Sequence, residues 1–174
     1  MHQESTESAQ VTRVDATPAA LAMLRRLAQE HGPLMIHQSG GCCDGSSPMC
    51  FPRGEFLVGD SDVLLGVIGA AEDVAAEDAV PGEGEGVPVY IGAAQFEYWS
   101  HTHLTIDLVP GRGAGFSLEA PEGYRFLTRS RLLTDEETAQ LARPAPGPSA
   151  TTHRRPRAGN GNLDVNSSII KVVT

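Results

Sequence analysis

The chain reads as short apolar runs separated by glycine, proline and clustered acids, a rhythm that favours strands over long helices. Helical periodicity is clearest between Thr17 and Pro33. Thr17 offers an N-cap and Pro18 the first helical position, where a missing N–H costs nothing. Leu21, Met23, Leu24 and Leu27 make its apolar face, Arg25, Arg26 and Glu30 its wet face, and His31-Gly32-Pro33 ends it. A shorter helix is expected over Thr134 to Arg143, where "TDEE" supplies a capping box and sets acids at the positive end of the dipole. Ala93 to His101, "AAQFEYWSH", reads as a short helix or turn.

Val11 to Asp15, Leu34 to His37, Glu55 to Gly59, Asp62 to Gly69 and Val87 to Gly92 are rich in β-formers bounded by glycine or proline, and read as strands. His103 to Pro110 and Ala114 to Pro121 read as an antiparallel hairpin about "GRGAG", with Tyr124 to Leu133 as a last strand. The fold class is therefore α+β, a mostly antiparallel or mixed β domain over residues 11–143 with an N-terminal helix and a short C-terminal helix. Ala70 to Gly86 holds six acids and no base, and its repeated "AAED" has a period of five that suits neither helix nor strand. It is expected as a solvated loop. Residues 1–10 are polar and aperiodic, and residues 144–174 are Pro- and Gly-rich and then basic; both are expected to be disordered.

Charge narrows the partners. The net charge is −9, and it divides unevenly: 9 basic and 21 acidic side chains in residues 1–143 give −12, while 4 and 1 in residues 144–174 give +3. Phosphate-rich partners, nucleic acid and anionic membrane alike, would be repelled by the body. The N-terminus lacks the basic and apolar regions of an export signal, and no apolar run approaches a membrane span, so the expected location is cytoplasmic. Thiols stay reduced there, and clustered cysteines point to metal or reactive sites.

All three cysteines, Cys42, Cys43 and Cys50, lie within nine residues, in "SGGCCDGSSPMC" directly after the apolar "LMIH". Gly40, Gly41 and Gly45 allow backbone conformations closed to other residues, so a tight loop at a strand end can hold thiolates in a convergent arrangement. The spacing is not that of a zinc knuckle. Small buried cysteines are the plain alternative. Nitrogen donors come from "WSHTHLTIDLV": alternation along a strand would put His101, His103, Thr105 and Asp107 on one face and Thr102, Leu104, Ile106 and Leu108 on the core face. A solvent-facing polar strand would show the same alternation. His37 is a third candidate nitrogen. Together Cys42, Cys43, Cys50, His101 and His103 make a mixed N/S donor set suited to a zinc or iron ion. The other use of the thiols is nucleophilic or redox chemistry at Cys42 or Cys43.

The order "TPAALAMLRRL", "GPLMIHQSGGC", "VPVYIG", "LTIDLVPGRGAGFSLEAP" resembles the HesB-like fold of A-type iron–sulfur carriers. That resemblance gives Cys42 the place of the first cluster cysteine. The carriers carry a Cys-Gly-Cys pair just after the final Pro, where this chain reads "EGYRFLTRS", so a cluster fits less well than a single ion. "GGCCDGS" followed by Pro48 and Cys50 resembles more closely the bacterial domain-of-unknown-function family 779. Members of that family are often encoded beside NAD-dependent aldehyde dehydrogenases. This implies an accessory role in alcohol or aldehyde metabolism with an aldehyde dehydrogenase as partner. The function expected from the residues is metal binding by the cysteine loop, handling a metal ion or iron–sulfur cluster in support of that enzyme, with a thiol-dependent redox protein or enzyme using Cys42 or Cys43, or a pure interaction module for that enzyme, as the alternatives. Self-association as a homodimer stands beside it.

Overall fold

Thr17 caps the first helix as its sequence requires: its hydroxyl accepts from the Ala20 N–H, Pro18 opens the helix, and Gly32 at φ +78° closes it. A computed structural model describes residues 11–41, 45–71, 79–80, 86–113 and 115–142. The chain divides into two units, Met1–Arg143 and Pro144–Thr174, and every element described belongs to the first. The elements run β1 (Val14–Ala16), α1 (Pro18–His31), β2 (Leu34–Gln38), β3 (Met49–Pro52), β4 (Asp62–Ile68), β5 (Val87–Gly92), α2 (Ala93–Trp99), β6 (Thr102–Pro110), a 3₁₀ turn (Ala120–Glu122), β7 (Tyr124–Leu132) and α3 (Asp135–Leu141).

They form two sheets, which bears out the α+β class. One is three-stranded in the order β1-β6-β7, with β1 parallel to β6 and β6 antiparallel to β7. The other is four-stranded in the order β3-β2-β5-β4, with β2 and β5 parallel and the outer pairs antiparallel. One core draws on both sheets and on α1: Leu24, Leu27, Leu34, Ile36, Ile91, Leu104, Ile106 and Phe126 are all essentially inaccessible. Each such side chain contributes about 1.5–3 kcal/mol of transfer free energy. Gly66 marks a register shift in β4, and the Val14 side chain of β1 passes so close there that a Cβ would meet it at 3.1 Å.

Three expected strands are corrected. Glu55 to Gly59 is a turn: Gly54 sits at φ +94°, the Glu55 N–H donates to Pro52 O, and Asp62 accepts from the Gly59 N–H at 2.7 Å. The real strand lies just upstream, at β3, inside what reads as the tail of a cysteine loop. Ala114 to Pro121 is not the partner of β6 in the described residues; that partner is β7. The apolar–polar alternation of "FSLEA" misleads because its polar members turn inward. Glu119, only 1% exposed, takes the Ser117 hydroxyl on one oxygen and the Phe126 N–H on the other at 3.3 Å. Burial raises the pKa of this carboxyl above the usual range, with the hydrogen bonds pulling the other way. Third, the first strand begins at Val14 and not at Val11. Of the expected solvated loop 70–86, residues 72–78 and 81–85 lie outside the described residues, but Ala70 and Val80 are buried and the Val80 N–H bonds to Gly69 O at 2.9 Å.

Candidate functional site

β2 ends in the glycine run, and both flanks of the thiol pair are fixed to its neighbours. Gln38, buried, donates from its amide to Gly40 O and accepts from the Thr128 hydroxyl of β7 at 2.9 Å. Gly41, at φ +89°, lies against the Ser46 side chain with no room for a Cβ. On the far flank the Gly45 N–H donates to Thr128 O and the Thr128 N–H to Ser46 O, each at 2.7 Å. Arg125 holds the Ser47 hydroxyl at 2.9 Å. Cys42 and Cys43, between these flanks, lie outside the described residues.

Alternation along β2 sends His37 to the face opposite Gln38. His37 is 4% exposed and lies under the Phe56 ring, centroids 4.5 Å apart, with Phe51 stacked behind at 4.8 Å. Its Nδ1 is 2.7 Å from the Ser39 hydroxyl oxygen. Its Nε2 is 3.1 Å from Asp62 Oδ1, but the carboxylate lies off the N–H axis, so this contact is electrostatic and not a well-formed hydrogen bond. The Gly59 N–H, and then the His37 ring, hold the Asp62 carboxyl below the usual carboxylate range. Ser39 is exposed. The Ser39–His37–Asp62 chain was not anticipated beyond His37. "HQS" at a strand end signals the first contact, since residues two apart share a face, whereas Asp62 arrives only through the pairing of β4 with β5.

The remaining candidates are separate. Cys50 is wholly inaccessible in the core, and burial first, then the Glu119 charge, raises its thiol pKa far above the ordinary range. Its backbone is knitted to the buried segment by Cys50 N to Ser117 Oγ at 2.8 Å and Leu118 N to Cys50 O at 3.1 Å. His101 is exposed in the turn before β6, so it does not share a strand face with His103. His103 is buried in the three-stranded sheet, its Nε2 3.8 Å from Asp15 and its Nδ1 without a hydrogen-bond partner among the described residues. Asp107 is committed to structure: it accepts from the Thr17 hydroxyl, the Leu108 N–H and Arg129. Leu104 and Ile106 face the core as expected. Among the described residues no three His, Cys, Asp or Glu side chains gather closely enough to hold one metal ion.

A family model described as a domain of unknown function, DUF779, matches residues 23–132. This chain belongs to the DUF779 family. The matched DUF779 segment takes in β2, the glycine–cysteine run, β3, β4 and Asp62, and ends at the last residue of β7. No curated protein and no solved structure matches the chain. Among the described residues, no helix of this DUF779 member is long and apolar enough to cross a membrane.

Proposed function

We propose that this chain is a thiol-dependent redox protein whose working pair is Cys42 and Cys43. The observation that carries this reading is the contrast between the thiols: the flanks of 42–44 are pinned to β7, while Cys50 is sealed in the core with its thiol held protonated. A thiolate is the reactive form, so Cys50 contributes nothing at neutral pH. Adjacent Cα atoms across a trans peptide are about 3.8 Å apart, below the ~4.4–6.8 Å a relaxed disulfide prefers. A disulfide joining Cys42 to Cys43 is therefore strained and readily reduced, which suits a turnover group and not a staple.

The reaction is exchange with a small-molecule disulfide. One thiolate of the pair attacks it, breaks its S–S bond and expels one thiolate. The second cysteine displaces the other half, leaving a Cys42–Cys43 bond. Two electrons pass to the small disulfide, and the two thiol protons leave with the two released thiols. Treating the reduced chain with 2-hydroxyethyl disulfide tests this. The expected product has lost two hydrogens, mapped to the peptide holding Cys42 and Cys43. A stable mixed disulfide at Cys50, or no exchange in the native chain, overturns it.

A second reading, handling of zinc or iron, keeps the same pair as soft donors. What supports it is two adjacent cysteines in one glycine-flanked stretch of sequence; what weighs against the five-donor centre is that Cys50 is sealed in the core, His103 is buried in the three-stranded sheet, His101 is exposed in a turn, and no three donors gather among the described residues. The donor set likewise does not suit an iron–sulfur cluster, because Cys50 is walled into the core and no cysteine follows Pro121. Elemental analysis of anaerobically purified protein decides: metal near one equivalent, lost in a C42S/C43S variant and kept in a C50A variant, favours it. Support of an aldehyde dehydrogenase belongs to either reading and rests on the family's neighbourhood alone. Co-purification of that enzyme, lost in the C42S/C43S variant, would tie it to the thiols; co-purification unaffected by the variant would favour the interaction-module reading.

A further inference from the structure

We propose that Ser39 is a nucleophile, activated by His37 with Asp62 behind it, that accepts acyl groups from small carboxylic esters. Neither Cys42 nor Cys43 takes part in this chemistry.

Three features separate this arrangement from a serine that merely caps a strand end. First, the imidazole is buried between two oxygen partners while the hydroxyl it faces is exposed: Nδ1 is 2.7 Å from Ser39 Oγ, and Nε2 is 3.1 Å from Asp62 Oδ1. A base buried behind an accessible hydroxyl, with a carboxylate behind the base, is the division of roles that makes a serine nucleophilic. Either ring nitrogen can serve as base once the other carries the proton, and a carboxylate beside Nε2 selects that tautomer. The off-axis approach of Asp62 is common before substrate binds.

Second, the ring cannot swing away. Phe56 lies on it, and Asp62 is itself fixed by the Gly59 N–H at 2.7 Å. The turn that replaces the expected strand at 55–59 thus places both the cover and the carboxylate of this histidine. The next residues in the turn, Leu57 and Val58, are apolar and exposed at 91% and 41%. They offer a surface for a short acyl chain.

Third, the backbone after Ser39 is set for an oxyanion. Gln38 ties down Gly40 O on the face opposite His37 and Ser39. In a trans peptide the carbonyl and the following N–H point opposite ways, so with Gly40 O tied to Gln38 the Gly41 N–H points away from that amide, and it is the donor assigned to the oxyanion in this proposal. Among the described residues nothing lies within 4 Å of where a Cβ on Gly40 would stand.

The step balances with water as the only co-reactant. Ser39 Oγ bonds to the ester carbonyl carbon, and its proton passes to His37 Nδ1. The carbon–oxygen bond to the leaving alcohol breaks, and that alcohol takes the proton from His37. Water, deprotonated by the same nitrogen, then releases the acid and restores Ser39.

Fluorophosphonate labelling with peptide mapping, paired with p-nitrophenyl acetate turnover, tests this on the full chain. Label is expected on Ser39 in the native chain and in a C42S/C43S variant. Turnover should fall at least tenfold in S39A, a change at an exposed position that leaves the fold intact by circular dichroism. Because H37Q alters a buried ring, D62N serves as the second variant, with an expected loss of about tenfold or more. Absence of label on Ser39, label confined to Ser46 or Ser47, or full turnover in S39A overturns the proposal. Turnover abolished by C42S/C43S with Ser39 unlabelled also overturns it, while leaving the thiol reading standing.

Discussion

His37 in the four-stranded sheet and His103 in the three-stranded sheet are both more than nine-tenths buried, and each faces an aspartate through Nε2. Their second nitrogens separate them. That of His37 meets an exposed hydroxyl at 2.7 Å, whereas that of His103 has no hydrogen-bond partner among the described residues. Around His103 the neighbouring charges are spent on one another. Arg131 makes two bonds to Glu137, at 2.7 and 2.8 Å, and Glu137 in turn closes the Thr134 capping box of α3. The comparison teaches that burial beside a carboxylate does not make a histidine chemical. The opening to solvent through the other nitrogen is what distinguishes His37 from His103.

The largest expected effect tests whether the two regions share one folding unit. Phe126 sits in the core common to both sheets, so Phe126→Ala should cost about 3–5 kcal/mol in denaturant unfolding. Hydrogen exchange should then accelerate in β2 and β6 together; acceleration in β6 alone would make the two regions separate modules. Next comes Gly41→Ala. With φ at +89° and Ser46 against the Cβ position, it should cost about 1–3 kcal/mol and alter exchange and thiol reactivity near β2 while leaving α3 unchanged.

His103 gives a pH effect of known sign. Burial lowers its pKa, the Asp15 charge opposes, and Arg131 adds to the lowering. The unfolded chain therefore takes up this proton first, and stability falls as pH drops below about 6.5 towards the lower folded value. His103→Leu should flatten that part of the stability curve. An unchanged slope there would mean that the ring is not buried in its neutral form. The smallest effect is at Glu137, whose carboxyl the Arg131 bonds hold at about 2. Its stabilising contribution is present above about 4.5 and lost as pH falls towards 2, so Glu137→Gln should reduce the acid-side slope slightly, and less so in high salt.

Much of this fold was legible because local rules decide it. The Thr17-Pro18 start and Gly32 stop of α1, the Thr134 capping box, and the apolar runs of β2, β4 and β5 are written in adjacent residues. What escaped depends on distant partners. Met49–Pro52 is a strand because β2 lies beside it, and "FSLEA" is not one because Glu119 turns inward to meet Phe126 from β7. The site divides the same way. "GGCC" and His37 stand out in the sequence, but Asp62 is 25 residues further on and reaches His37 only through two strand pairings, β2 with β5 and β5 with β4. The His101-Thr102-His103 pattern looked like a metal pair because alternation was extended one residue too far; β6 begins at Thr102.

The most direct test of a working β2 end and a silent core is alkylation of the native chain by iodoacetamide from about pH 6 to 9, mapped by mass spectrometry. Modification of Cys42 or Cys43 with Cys50 untouched until denaturant is added is the predicted result. Native modification of Cys50 at a comparable rate, or protection of all three thiols, would contradict it.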